Sequence, residues 1–279
     1  MRARFALQAL LLAALAVAAA HSSAQTSARI DYLLKDVYVE EKIGQKIPAD
    51  LSFTDDNGRS VRIGQYIGDK PLLISLNYAD CPKLCSLQLA DMAKCMADMK
   101  WTAGVDFTFL TVSIDPTETY ERAKLAKLRY LGAVGRAEAD RGWHFLVTPN
   151  EGNVKALADA LGYKYKFDAE KNEYLHKSAM FLVNKDGVIS HYLRNMAYQP
   201  ADVQSKLESC ARGEFGQFDE DDMGFGLNCF SYEYTDNIAR AFRWMRYGGV
   251  ATLVFFFSFM GYWWIRELRK PGDSKAEAT

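Results

Sequence analysis

The sequence has almost no net charge: 34 Lys and Arg stand against 35 Asp and Glu over 279 residues. With no surplus of cations to neutralise phosphates, nucleic acid is excluded as an expected partner. There is no internal repeat, which excludes solenoids and propellers. Histidine is scarce, at four residues, and cysteine nearly as scarce, at five. No two cysteines are spaced C-x-x-C, the usual arrangement of thiol–disulfide exchange enzymes. None lies near the small residues that end the N-terminal apolar run, so lipoprotein processing is not expected.

What is present begins with the two ends. Arg2 and Arg4 precede an apolar run from Phe5 to Ala20, and Ser22 and Ala24 follow at an A-x-A-like spacing. That layout reads as a secretory signal peptide over residues 1–24, with an uncleaved anchor as the alternative. A second apolar run, Val250 to Ile265, carries no charge and contains Phe255, Phe256 and Phe257 in succession. Extended upstream through Tyr247, it reaches the lower end of the roughly 17–25 residues that cross a bilayer. Trp263 and Trp264 suit the interface belt, and Arg266, Arg269 and Lys270 follow. The expectation is a transmembrane helix over residues 250–265, a cytoplasmic tail over 266–279 and an exported body. Such a protein sits in a bacterial inner membrane with its main domain in the periplasm, an oxidising compartment where disulfides persist.

Between the ends, residues 25–46 read as a polar lead-in. Leu51 to Val61 alternates around Asp55-Asp56-Asn57-Gly58, a hairpin turn signal. Pro71 to Tyr78 is an apolar run of buried-strand length. The period then changes: Cys85, Leu89, Met92, Met96 and Met99 share one helical face, which makes the methionines and Cys95 core residues. Phe107 to Ile114 reads as a strand, Tyr120 to Leu131 as a helix and His144 to Val147 as a strand. A helix follows from Asn150 or Glu151 to near Gly162, then a hairpin over Ala179 to Leu193 with Lys185-Asp186-Gly187 at its turn. Pro200 to Cys210 has helical spacing. Strands alternating with helices predict an α/β sheet covered on both faces, here spanning residues 47–210. Residues 211–234 form an acidic, Gly-rich loop segment, and 235–249 a helical lead-in to the span.

Cys81-Pro82-Lys83-Leu84-Cys85 follows a buried strand and opens a helix. Pro82 suits the first helical position, where an N–H is not needed. Cys81 and Cys85 are four apart, close to one above the other on a helix. Helix N-terminal N–H groups and the dipole lower the thiol pKa there. Two thiolates select a soft ion such as Cu(I), or zinc; they could equally form a redox disulfide or staple the loop. Imidazole is the usual further ligand for Cu(II) or zinc. His144, beside Trp143, reads as structural, and His191, after the hairpin turn, as solvated. His176 stands just before the strand Ala179 to Val183, the point of a thioredoxin-type sheet that lies beside the cysteine helix.

Together these segments resemble the Sco/SenC family of cytochrome oxidase assembly proteins. The resemblance is carried by Asp80-Cys-Pro-Lys-Leu-Cys85, Val112-Ser-Ile-Asp-Pro116, Trp143-His-Phe-Leu146, and His176 with the strand and Asp186-Gly187 turn after it. It implies a thioredoxin-like fold, and a copper ion, Cu(I) or Cu(II), held by Cys81, Cys85 and His176. It further implies a metallochaperone that delivers copper to the binuclear copper site of cytochrome c oxidase, whose copper-bearing subunit is the expected partner. Other copper carriers or thiol reductants are further candidates. The rival is a thiol–disulfide oxidoreductase using Cys81 and Cys85 as its redox pair. Three intervening residues, and Leu175-His176-Lys177 where such enzymes carry a proline, weigh against it. The chain departs from the better-known members in its C-terminal rather than N-terminal anchor, in Lys177 beside the histidine, and in the 211–229 segment. Cys210 and Cys229 bracket that segment and are expected to form a structural disulfide.

Overall fold

The computed structural model describes residues 35–79, 84–194, 197–216 and 236–268. Its chain divides into two units, residues 1–232 and 233–279.

The first unit is built around β3 (Leu72–Asn77), every residue of which is buried. Leu73 faces one core, while Leu72, Ile74 and Leu76 face the other. A strand covered on both faces shows in sequence as a continuous apolar run, as this one does. Each such Leu or Ile side chain contributes about 1.5–3 kcal/mol by leaving water. β4 (Thr108–Ser113) pairs with β3 in parallel over its whole length, and β5 (Trp143–Val147) pairs with β4 in parallel. β8 (Met180–Val183) takes the other side of β3, antiparallel, and β9 (Ile189–Leu193) pairs with β8. At the far edge β1 (Ser52–Asp55) runs antiparallel to β5 and forms a hairpin with β2 (Ser60–Arg62). The strand order is β2-β1-β5-β4-β3-β8-β9. A separate two-stranded hairpin, β6 (Lys166–Asp168) and β7 (Glu173–Leu175), was not foreseen from the sequence.

Helices α1 (Leu84–Asp98), α2 (Tyr120–Val134) and α5 (Pro200–Ala211) cover one face, and α4 (Glu151–Ala160) the other. The short α3 (Glu138–Gly142) leads into β5. This is the expected thioredoxin-like α/β arrangement. Local chemistry sets the helix ends. Thr119 caps α2 by accepting from Arg122 N, Asn150 caps α4 by accepting from Gly152 N, and Pro200 opens α5. Met92, Met96, Met99 and Cys95 are buried, as their spacing required. On the α1 side Trp143 stacks on Phe109 at 4.7 Å. Lys127, itself buried, joins Asp56 at 2.9 Å and Asp140 at 3.0 Å, tying the β1–β2 turn to α2.

Residues 37–47, in the segment that leads into the core, pack on it: Val37 and Ile47 are buried, and Val39 bridges to Tyr163. This close approach requires Gly162. Its φ is +64°, and a side chain there would meet Glu40 O at 1.9 Å.

The described residues of the second unit form a single helix, α6 (Asp236–Leu268), so the lead-in and the expected span are continuous. Within it Trp244–Arg266, 23 residues, is long and apolar enough to cross a membrane. At about 1.5 Å per residue that is roughly 35 Å, against about 30 Å of hydrocarbon.

One histidine departs from expectation. His191 is not solvated but 8% exposed. Residues after α5 fold back along β9, where Gly216 N donates to Ser190 O and Gly216 lies against the imidazole. His191 Nδ1 shares a hydrogen bond with Ser190 Oγ at 2.6 Å. Burial holds both His144 and His191 below the ordinary histidine value of 6.5. The folded chain therefore binds protons less readily than the unfolded chain at these sites. The stability they confer is present above pH 6.5 and is lost as pH falls below it towards the folded values. Urea unfolding followed through that range should show the decline, and His191→Gln should flatten part of it; an unchanged slope in the variant would remove His191 from the account.

Candidate metal centre

Of the three expected ligands, the structure describes one side chain. Cys81, with Pro82 and Lys83, lies outside the described residues. Cys85 falls in the first turn of α1, its side chain likewise outside them. Among the described residues there is no group of three or more His, Cys, Asp or Glu side chains placed to hold a metal.

What is described leads to the cysteine loop from both sides. β3 ends at Asn77, and Tyr78 and Ala79 carry the chain towards Cys81. β8 runs antiparallel to β3 with Ser75 opposite Met180, so the residues just before Met180 lie beside the C-terminal end of β3. His176 is among them. Its ring centroid is 6.5 Å from that of Tyr78, three residues before Cys81. The β6–β7 hairpin walls the same region. Tyr174 lies edge-on to Tyr78 at 5.6 Å and packs against Phe167 at 5.0 Å.

His176 is 1% exposed. Its Nδ1 lies 2.5 Å from Tyr163 Oη and 2.9 Å from the carbonyl oxygen of Lys177. A carbonyl oxygen only accepts, so the contact with Lys177 is a hydrogen bond in the tautomer with the proton on Nδ1, which leaves the lone pair on Nε2. Tyr163 Oη in turn donates to Lys177 O at 2.8 Å, with Leu76 O at 3.3 Å. Tyr163 is fully buried, edge-on to Phe181 at 5.8 Å. A metal-binding histidine is commonly oriented this way, by a partner on its other nitrogen. The contribution of Lys177 here is its backbone carbonyl.

The other candidates lie elsewhere. His144 is half-buried in β5 with its ring 4.9 Å from Tyr66, in keeping with a structural role. Cys210 is a free, fully buried thiol, and Cys229 lies outside the described residues. Cys210 faces inward from α5 beside Ser190, and burial pushes its thiol up to about 11; the expected bridge rests on Cys229 and so lies outside the described residues. Cys95 is also a free thiol, pushed up to about 12 by burial and then by Asp91, Asp98 and Asp202. Neither is an activated nucleophile.

Tyr163 is the residue that the sequence did not disclose, since an aromatic after a glycine reads as ordinary core. Tyr163→Phe should cost about 1 kcal/mol in chemical unfolding. In the metal-free protein, nitrogen NMR should place the His176 proton on Nδ1; a proton on Nε2 would overturn the tautomer assigned from the carbonyl contact.

Three comparisons bear on kinship. The SCO1/SenC family model matches residues 39–212, well over half of the chain. A search of curated proteins found no match. Among solved structures, a putative electron transfer protein from Aquifex aeolicus VF5 superposes with a TM-score of 0.55 at 23% identity, covering 64% of this chain and 99% of that one. A SCO1/SenC family lipoprotein from Bacillus anthracis gives 0.50 at 16% identity, covering 62% and 99%. BsSco, described as a member of the Sco family of cytochrome c oxidase assembly proteins with a disulfide switch, gives 0.50 at 18%, covering 62% and 98%. At these identities the likenesses speak for the fold; the family match, together with the α/β architecture, identifies the chain as a member of the SCO1/SenC family.

Proposed function

We propose that this chain is a membrane-tethered copper carrier. Cys81, Cys85 and His176 hold the ion, and the recipient is the binuclear copper site of cytochrome c oxidase. The observation that carries the reading is the state of His176. A buried imidazole with its Nδ1 turned to the Lys177 carbonyl supports Nε2 as the metal-binding nitrogen. Tyr78 connects that imidazole to the loop bearing the two cysteines. Membership of the SCO1/SenC family and the soft-donor pair support the same reading.

Loading proceeds by ligand exchange. The two thiols each release a proton as their sulfurs take the metal, so uptake weakens in acid. Nε2 of His176, already lacking a proton, adds without further release. Thiolates of the recipient then displace the donor sulfurs through shared-thiolate intermediates, and no substrate bond is broken. The N-terminal segment directs the body to the periplasm, and α6 anchors it in the bacterial inner membrane. Confinement to the membrane of its target raises the effective concentration of the carrier. The same thiols could instead cycle as a disulfide and reduce the recipient's cysteines, a second reading favoured by the disulfide switch identified in BsSco.

Anaerobic Cu(I) titration of the reduced, full-length chain in detergent should show one-to-one binding. His176→Ala should weaken it at least about tenfold, the scale already set by supporting residues around metal sites. Weak binding indifferent to His176, together with rapid reduction of protein disulfides, would turn the assignment to a thiol oxidoreductase.

A further inference from the structure

Glu118 is buried in the loop between β4 and α2, away from the three expected ligands in sequence. Its Oε2 accepts a hydrogen bond from Ala79 N at 2.9 Å and a second from Ser113 Oγ at 2.7 Å. Ala79 lies two residues before Cys81, and Ser113 is the last residue of β4. One carboxylate oxygen thus ties the approach to the cysteine loop onto the end of the neighbouring strand. A second tie runs alongside it, from Ile114 N to Asn77 O at 2.9 Å.

Beneath this crossing the structure is not packed by apolar side chains alone. A small cavity is lined by Asn77, Thr111, Ser113 and Glu118 together with Leu89 and Tyr130. The Nδ2 of Asn77 is buried and makes no hydrogen bond to the described residues. Van der Waals contact is forfeited around such a gap. Ala79 and Tyr78 pack against the two cores, and the hydrogen bonds fix the backbone of the segment at Ala79. Burial raises the Glu118 carboxyl above its ordinary value, while the Ala79 N–H and the Ser113 hydroxyl pull it back down. A buried acid kept in place by two donors on different elements is a costly feature unless those donors need it.

We propose that Glu118 is a positioning residue for the metal site, fixing the backbone at Ala79, two residues before Cys81. This rests on the copper-carrier reading above. The role belongs to the acceptor oxygen and its geometry. A glutamine can supply that oxygen to Ala79 N, while the Ser113 hydroxyl can turn to another acceptor. Alanine supplies none.

The test compares wild type, Glu118→Gln and Glu118→Ala as full-length reduced chains in detergent. Cu(I) affinity is read by competition with a chromophoric chelator. Amide exchange at Ala79 is read in the metal-free proteins. Alanine should weaken copper about tenfold and speed exchange at Ala79, and glutamine should restore both to near wild type. Copper binding by Glu118→Ala at wild-type strength would overturn the proposal while leaving the carrier intact. So would a glutamine variant as weak as the alanine one, because charge rather than geometry would then be at work. Wild type that fails to bind copper would overturn the carrier reading and, with it, this role of Glu118. Since exchange at Ala79 needs no metal, an unchanged rate in Glu118→Ala would independently remove the tie itself.

Discussion

Strand β3 has neither a free edge nor a solvent face. β4 holds one edge in parallel and β8 the other in antiparallel, and the two cores close over its surfaces. The direction of β8 decides where chemistry can occur. Because β8 runs against β3, the chain enters it beside the end at which β3 leaves for the cysteine loop. His176 is carried to that end by pairing alone. A parallel β8 would have delivered it to the opposite edge of the molecule. The register of one central pair therefore brings His176 beside the end of β3 from which the chain runs on to Cys81 and Cys85, the other proposed ligands, 95 and 91 residues earlier in sequence.

The same burial explains what could be read from the amino-acid sequence. β3 and β4 are apolar on both faces, so they stand out as runs, and α1 shows a methionine stripe because only one face of it meets the core. The β8–β9 turn was visible because Asn184, Lys185, Asp186 and Gly187 have the chemistry of a tight turn, and Asn184 Oδ1 does accept from Asp186 N and Val188 N. The β6–β7 hairpin was not visible. Its strands are three residues each and carry Lys166, Asp168 and Glu173, with no alternation to notice. What pins it is tertiary, through Tyr174 against Tyr78 and Tyr165. His191 misled for a related reason. Nothing local shows that residues 214–216 return to cover it.

For the site, residue types and the family resemblance supply the proposed ligands, and the sheet brings His176 to the expected end. The residues that orient the ligand were silent. Tyr163 is adjacent to Gly162, whose left-handed backbone lets residues 38–40 pass close by, with Glu40 N donating to Gly162 O and Lys164 N to Tyr38 O. The orientation of the imidazole thus depends on a segment more than a hundred residues upstream. Truncating the chain within that segment would disturb the site without touching a ligand, which no motif could reveal.

The carrier proposed above has to bind firmly and also let go, and the described residues support His176 and the approach to the cysteines differently. His176 is enclosed, with its proton directed at a carbonyl and its partner Tyr163 locked between aromatic rings. Little freedom is left for it to lose when a metal arrives. The segment that leads to the thiols instead sits over a small cavity and is tied by a few hydrogen bonds, one of them to a carboxylate. For the carrier proposed above, His176 is thus the candidate ligand already held in place before a metal arrives.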